Sequence, residues 1–167
     1  MEKKNKKNQK NRKEIGGMEY EQRILDLARV TRVMAGGKRM RFRAAVAVGD
    51  QNGMIGVGVA KGADVTLAVN KAVHGAKKNM VKVPILKGTI PHVVKSKYGA
   101  ARILLKPAPM GTGVKAGGVL RLIIQVSGIP NVVGKILGSN NKINNARAFI
   151  KAVESFLPRS SKRASKV

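Results

Sequence analysis

Residues 39–78 read RMRFRAAVAVGDQNGMIGVGVAKGADVTLAVNKAVHGAKK, and the fold turns on how this stretch is parsed. In the first run Met40, Phe42, Ala44, Val46 and Val48 alternate with Arg39, Arg41, Arg43, Ala45 and Ala47. A period of two sends the two sets to opposite faces of a β-strand. Asp50 and the Asn52-Gly53 pair are turn chemistry, so MIGVGVAKG returns as the second strand of a hairpin. On this reading Ile55, Val57 and Val59 continue the apolar face, and Gly56 and Gly58 lie beside the arginines. Glycine in a strand marks a close approach by a backbone or a ligand. An arginine row beside a glycine row suits a large anionic partner lying flat on the sheet. The competing reading is an ordinary solvated face in a basic chain. Asp64 is placed to cap a helix. Val65, Ala68 or Val69, Ala72, Ala76 and Met80 form its apolar stripe, with Lys71, His74 and Lys78 turned outward. His74 has no second ligand at metal spacing and reads as a surface residue.

Composition narrows the partner. The 167 residues carry 34 Lys and Arg against 8 Asp and Glu, a net charge of +26. Such a chain repels itself until an anion neutralises it, and nucleic acid is the leading candidate because each phosphate contact releases counterions. A hydrophobic content of 43% supports real cores. No apolar run of membrane-spanning length, signal pattern or lipidation motif is present, so no membrane partner is expected. With no cysteine, disulfides and thiolate metal sites drop out. Aromatics make up only 3%, which favours recognition of phosphate and shape over base stacking.

Upstream of the hairpin, residues 18–35 hold Glu19, Glu21 and Asp26 in MEYEQRILDLARVTRVMA. A strand is expected over 28–35, entered by a turn of helix or more strand. Gly36 and Gly37 then make a tight loop carrying Lys38 and Arg39. Residues 1–17, rich in lysine, read as a disordered basic tail. The first domain, 18–84, is thus three strands backed by one helix. Downstream, Pro84, Gly88 and Pro91 mark a boundary. A second domain, 85–157, opens with strands near 92–98 and 101–106, with Lys95 and Lys97 on one side of the first. A glycine-rich loop leads to a helix with Val119, Leu122, Ile123 and Val126 on its stripe and Arg121 off it. NVVGKILG is a further strand. Ser139 or Asn140 caps a last helix, and residues 158–167 form a second basic tail.

Gly111, Gly113 and Ala116 satisfy a loose dinucleotide pattern. A nucleotide site there would want an acid about 20 residues on, and residues 65–153 contain no Asp or Glu. The same free N–H groups, reinforced by Lys115 and Arg121, fit a nucleic-acid phosphate better. No catalytic residues, cofactor or metal are expected.

Taken together, AGGKRMRF, VGDQNGMIGVGVAKG, AVNKAVHGAKKNM, GTGVKAGG and SNNKINNARAFIKAV, in this order, resemble the small-subunit ribosomal protein S-five family of bacteria. The resemblance covers about residues 27–157. It implies an α+β chain with an N-terminal double-stranded-RNA-binding-like domain and a C-terminal α/β domain of a type shared with certain small-molecule kinases. It implies a structural, non-enzymatic role in the 30S subunit in the cytoplasm, contacts with 16S rRNA, neighbours S-four and S-eight, mRNA nearby at the entry side and an influence on accuracy, with no DNA partner. By position, Gly36, Gly37, Lys38 and Arg39 match the family loop that reaches rRNA near the spectinomycin site. Gly111, Thr112, Gly113 and Arg121 match positions at the interface with S-four. Arg41, Arg43, Gly56, Gly58, Lys61, Lys71, Lys78, Lys95, Lys97 and Lys115 complete the expected rRNA-facing set. A stand-alone duplex-binding chaperone or nucleoid protein and a nucleotide-dependent kinase are the alternatives.

Overall fold

The computed structural model describes residues 12–15 and 18–156. Five antiparallel strands form the first sheet in sequence order: β1 (Arg12–Ile15), β2 (Met18–Met34), β3 (Gly37–Gly49), β4 (Met54–Gly62) and β5 (Met80–Lys82). Helix α1 (Val65–Lys78) lies between β4 and β5. The second sheet runs β6-β7-β9-β8, from β6 (Val94–Tyr98), β7 (Ala101–Pro107), β8 (Val114–Ala116) and β9 (Val132–Ile136). Its helices are α2 (Gly118–Ser127) and α3 (Lys142–Phe156).

The centre of the first sheet is buried on both faces, and this overturns the expected parsing of residues 39–60. Ala44 to Val48 are all buried, five in a row, the signature of a strand covered on two sides. Ala44, Val46 and Val48 pack under α1 with Ala68, Ala72, Val73 and Ala76. Ala45 and Ala47 face the other way, into a core shared with Ile55, Val57 and Val59 and with α2 and α3. The register explains the difference. Gly49 pairs with Ile55, which sets Val48 opposite Gly56 and Val46 opposite Gly58. A slip of one residue exchanges the faces of a strand, and the loop is one residue off from the one that would align Ile55 with Val48.

The layers therefore run α1, first sheet, α2 with α3, second sheet. The helices of the middle layer contact both sheets, Leu120, Ile123, Phe149 and Val153 sharing one core with Ile55 on one side and Ile103 and Leu105 on the other. The join is also polar. The β3–β4 turn is tied internally by Asp50 Oδ1, which accepts from the N–H groups of Asn52 and Met54 at 2.8 and 2.9 Å. Its Gln51 and Gly53 N–H groups donate to the carbonyls of Val126 and Ser127 at 3.3 and 3.0 Å. They satisfy helix-end acceptors that have no partner within α2. Gly128 follows in the left-handed region (φ 77°), and a Cβ there would lie 1.9 Å from the Gln51 oxygen.

Other expectations are adjusted. The acidic run beginning at Met18 is strand throughout, interrupted by a bulge between Ile24 and Asp26 that turns Leu25 into the core. Arg12–Ile15, expected within a disordered tail, pairs with β2; the rest of residues 1–17 and the tail 158–167 lie outside the described residues. The first sheet has five strands rather than the three expected, because β1 and β5 are too short to show a period. Asp64 occupies the cap position of α1, and its carboxylate accepts from Thr66 Oγ1 at 2.5 Å. Asn141, not Ser139 or Asn140, caps α3, its Oδ1 accepting from the N–H groups of Ile143 and Asn144.

Candidate nucleic-acid interface

Beyond Phe42, strands β2 and β3 have no further neighbour: β4 pairs with β3 only from Phe42 onward. Residues 28–41 thus form a two-stranded arm turned by Gly36 and Gly37, and every residue from Thr31 to Arg41 is exposed. Cross-strand pairing puts Arg32 opposite Arg39 and Val30 opposite Arg41. Arg32, Arg39 and Arg41 line one groove with Lys61, the floor being Val30, Thr31 and Met34. The other arm face carries Arg29, Lys38, Val33 and Met40. Like charges set directly opposite each other destabilise a sheet. No carboxylate lies between residues 27 and 49, so no acidic side chain of the arm offsets the groove's charge.

The expected site residues divide into groups. Gly36, Gly37, Lys38, Arg39 and Arg41 sit together on the arm, with Lys61 beside it. Gly56 and Gly58 do not: both are buried, and a Cβ on either would meet the Ala76 or Ala72 carbonyl oxygen of α1 at 2.2 or 2.0 Å. The glycine row admits the chain's own helix, so the close approach was correctly inferred and the partner was not. Arg43 is also withdrawn from the groove. It is half-buried, and its Nη2 pairs with Asp26 Oδ2 at 3.3 Å. Lys142, at the start of α3, pairs with the other oxygen of Asp26 at 3.2 Å, so Asp26 ties the first sheet to the middle layer. Lys71 and Lys78 are exposed on the outer side of α1. Lys95, Lys97 and Lys115 are exposed on the second sheet.

The glycine loop has a different character. Gly111 and Gly113 have open space where a Cβ would stand. Arg121 is exposed on α2. The loop is held from behind by Asn131, which is nearly buried. Its Oδ1 accepts from Gly113 N–H at 3.0 Å, its Nδ2 donates to the Gly88 carbonyl at 3.3 Å, and its carbonyl accepts from Thr89 Oγ1 at 2.8 Å. No group of three or more His, Cys, Asp or Glu able to hold a metal ion occurs among the described residues, and no described helix is long and apolar enough to cross a membrane.

Arg29 and Arg32 on the arm, and Asn131 behind the glycine loop, are residues that sequence reasoning did not single out. The two arginines lie in the strand expected over 28–35, and the register that sets them opposite Phe42 and Arg39 is what brings them onto the arm's faces. For Asn131 the sequence offered no signal, because its three partners are 18 to 43 residues away.

Comparison with known proteins agrees with this two-part architecture. Residues 20–84 match the family model described as ribosomal protein S5, N-terminal domain, and residues 96–159 match that of ribosomal protein S5, C-terminal domain. A small ribosomal subunit protein uS5c of Spinacia oleracea is 51% identical over 136 residues, which is 81% of this chain and 44% of that protein. The uS5c protein of Emiliania huxleyi is 48% identical over 134 residues, 80% of this chain and 84% of its own length. The chain thus spans less than half of the first relative and most of the second. The family is one of ribosomal structural proteins rather than enzymes. The chain belongs to the ribosomal protein S5 family of the small ribosomal subunit.

Proposed function

We propose that this chain is a structural constituent of the small ribosomal subunit that grips 16S rRNA with the β2–β3 arm and supports assembly of the particle. The observation that carries the reading is the arm itself. It presents Arg29, Arg32, Lys38, Arg39 and Arg41 on an exposed ribbon without a carboxylate, which suits phosphate-dominated recognition. The glycine loop and Arg121 face solvent on the second domain and serve as the contact with S-four. S-eight is the other protein neighbour, and mRNA passes nearby on the entry side, through which the protein influences accuracy. The compartment is that of the ribosome holding it, the cytoplasm in a bacterial cell. A photo-crosslinker placed at Lys38 tests this: after incorporation into small subunits, adducts on 16S rRNA are expected. Incorporation with adducts only on protein, or failure of the chain to sediment with small subunits, refutes it.

A further inference from the structure

The second sheet has one covered face and one open face. Ile103, Leu105 and Val132 turn toward α2 and α3 and are buried. The residues of opposite parity turn outward. The register aligns Lys95 of β6, Leu104 of β7 and Lys135 of β9 in one row. A second row holds Lys106 of β7, Val133 of β9 and Lys115 of β8. Lys97 stands directly opposite Arg102. All six cations are exposed, and the face contains no Asp or Glu. Leu104 and Val133, half-buried within the strands, and Val93 and Leu137, exposed just beyond the ends of β6 and β9, are its large apolar residues.

We infer that this open face is a second RNA-docking surface, taking the phosphate backbone of a structured RNA segment distinct from the one held by the arm. The inference rests on the RNA-binding reading above and extends it to residues Arg102, Lys106 and Lys135. Alternate residues along a strand are about 6.6 Å apart and neighbouring strands about 4.8 Å apart. Six cations therefore tile a patch whose spacing is comparable to that of successive phosphates. Lys97 directly across from Arg102 weakens the sheet by a few tenths of a kcal/mol or more, and an anion laid across the face would relieve that and the repulsion among the other four cations. No aromatic ring lies on the face, so the contact is with backbone and shape rather than with stacked bases. An acidic protein partner would need a continuous apolar centre, whereas Leu104 and Val133 are interleaved with Lys95, Lys106 and Lys135, and Val93 and Leu137 stand at opposite ends of the face. The face is the outer layer of the stack, on the side away from α1, with the helix layer between it and the first sheet. Two RNA segments held at once would raise the effective affinity of each contact by linkage.

The test uses the full chain and a folded 16S rRNA fragment. In one variant Lys95, Arg102, Lys106 and Lys135 are replaced with Ala; in a second Arg32, Arg39 and Arg41 are. The sheet variant should melt as the parent does, lose about tenfold or more in affinity at moderate salt, and lose backbone protections at positions other than those lost by the arm variant. A charge-retaining variant, Lys95→Arg with Arg102→Lys, should bind as the parent does. Loss in the arm variant with none in the sheet variant overturns this inference and leaves the RNA-binding reading standing. Loss in neither overturns both. A sheet variant that binds RNA normally but loses binding to anionic lipid vesicles, or to an acidic polypeptide, also overturns it.

Discussion

Gly58→Ala separates two accounts of the glycine row in β4. A methyl group at Gly58 would sit 2.0 Å from the Ala72 oxygen and 2.7 Å from the Ala76 nitrogen, both backbone atoms of α1. Contact becomes ordinary near 3.4 Å, so helix and sheet must part by about 1.4 Å. No rotamer change relieves a clash with backbone. The retreat loosens the layer formed by Ala44, Val46 and Val48 against Ala68, Ala72 and Ala76. Overpacking costs about 1–3 kcal/mol, and the rigidity of the neighbours places this case at the upper end. At about 2–4 °C per kcal/mol for a chain of this size, the melting temperature should fall by about 6–12 °C. Circular dichroism of the isolated chain measures the midpoint. RNA affinity measured well below that midpoint should equal that of the parent. An unchanged midpoint with weakened RNA binding refutes the reasoning, because it would mean that the row faces the RNA.

Other consequences concern the joins within the molecule. Gly128→Ala places a side chain in the left-handed region, at about 1–2 kcal/mol, and drives its methyl into the Gln51 carbonyl. Amide exchange at Gln51 and Gly53 should accelerate, and retained protection there would contradict the proposed join. Asn131→Ala leaves the Gly113 N–H without its partner; a loss of about 1–3 kcal/mol and faster exchange at Gly113 are expected, whereas unchanged exchange would show that the loop is held by other means. The Asp64 carboxyl lies below its usual range, chiefly because Thr66 donates to it and then because of the Val65 N–H. Its contribution to stability is present above its unfolded pKa and fades as pH falls through the folded value. Thr66→Val should move the Asp64 titration upward by NMR, and an unmoved curve would reject Thr66 as the cause.

Strands, helices and their order were legible in the sequence where the period was long. Ala68, Ala72 and Ala76 of the α1 stripe and Val119, Ile123 and Val126 of the α2 stripe are buried as expected, whereas Met80 belongs to β5 and Leu120 and Ile124 are buried where Leu122 is only half-buried. What failed was the assignment of faces in the hairpin. Alanines at 45 and 47 are small enough to read as the indifferent side of a half-buried strand, yet they are the side against which a whole layer packs. The glycines declared a close approach without naming what approaches, and only the register supplied that. Arg43 looked equivalent to Arg39 and Arg41 along the strand, but Asp26 is brought to it from 17 residues away by the bulge in β2. The arm was legible as a strand over 28–35 turned by the Gly36-Gly37 loop with Lys38 and Arg39; what the sequence did not show was that the strand reaches back to Met18 and sets Arg32 opposite Arg39.

The central claim is that the exposed arm neutralises RNA phosphates through side chains that do nothing for the fold. Affinity of the full chain for a folded 16S rRNA fragment should be measured across a salt series with Arg32, Arg39 and Arg41 replaced by Ala. Three lost phosphate contacts reduce the slope of log affinity against log salt by about 2–3. A slope equal to that of the parent would contradict the account.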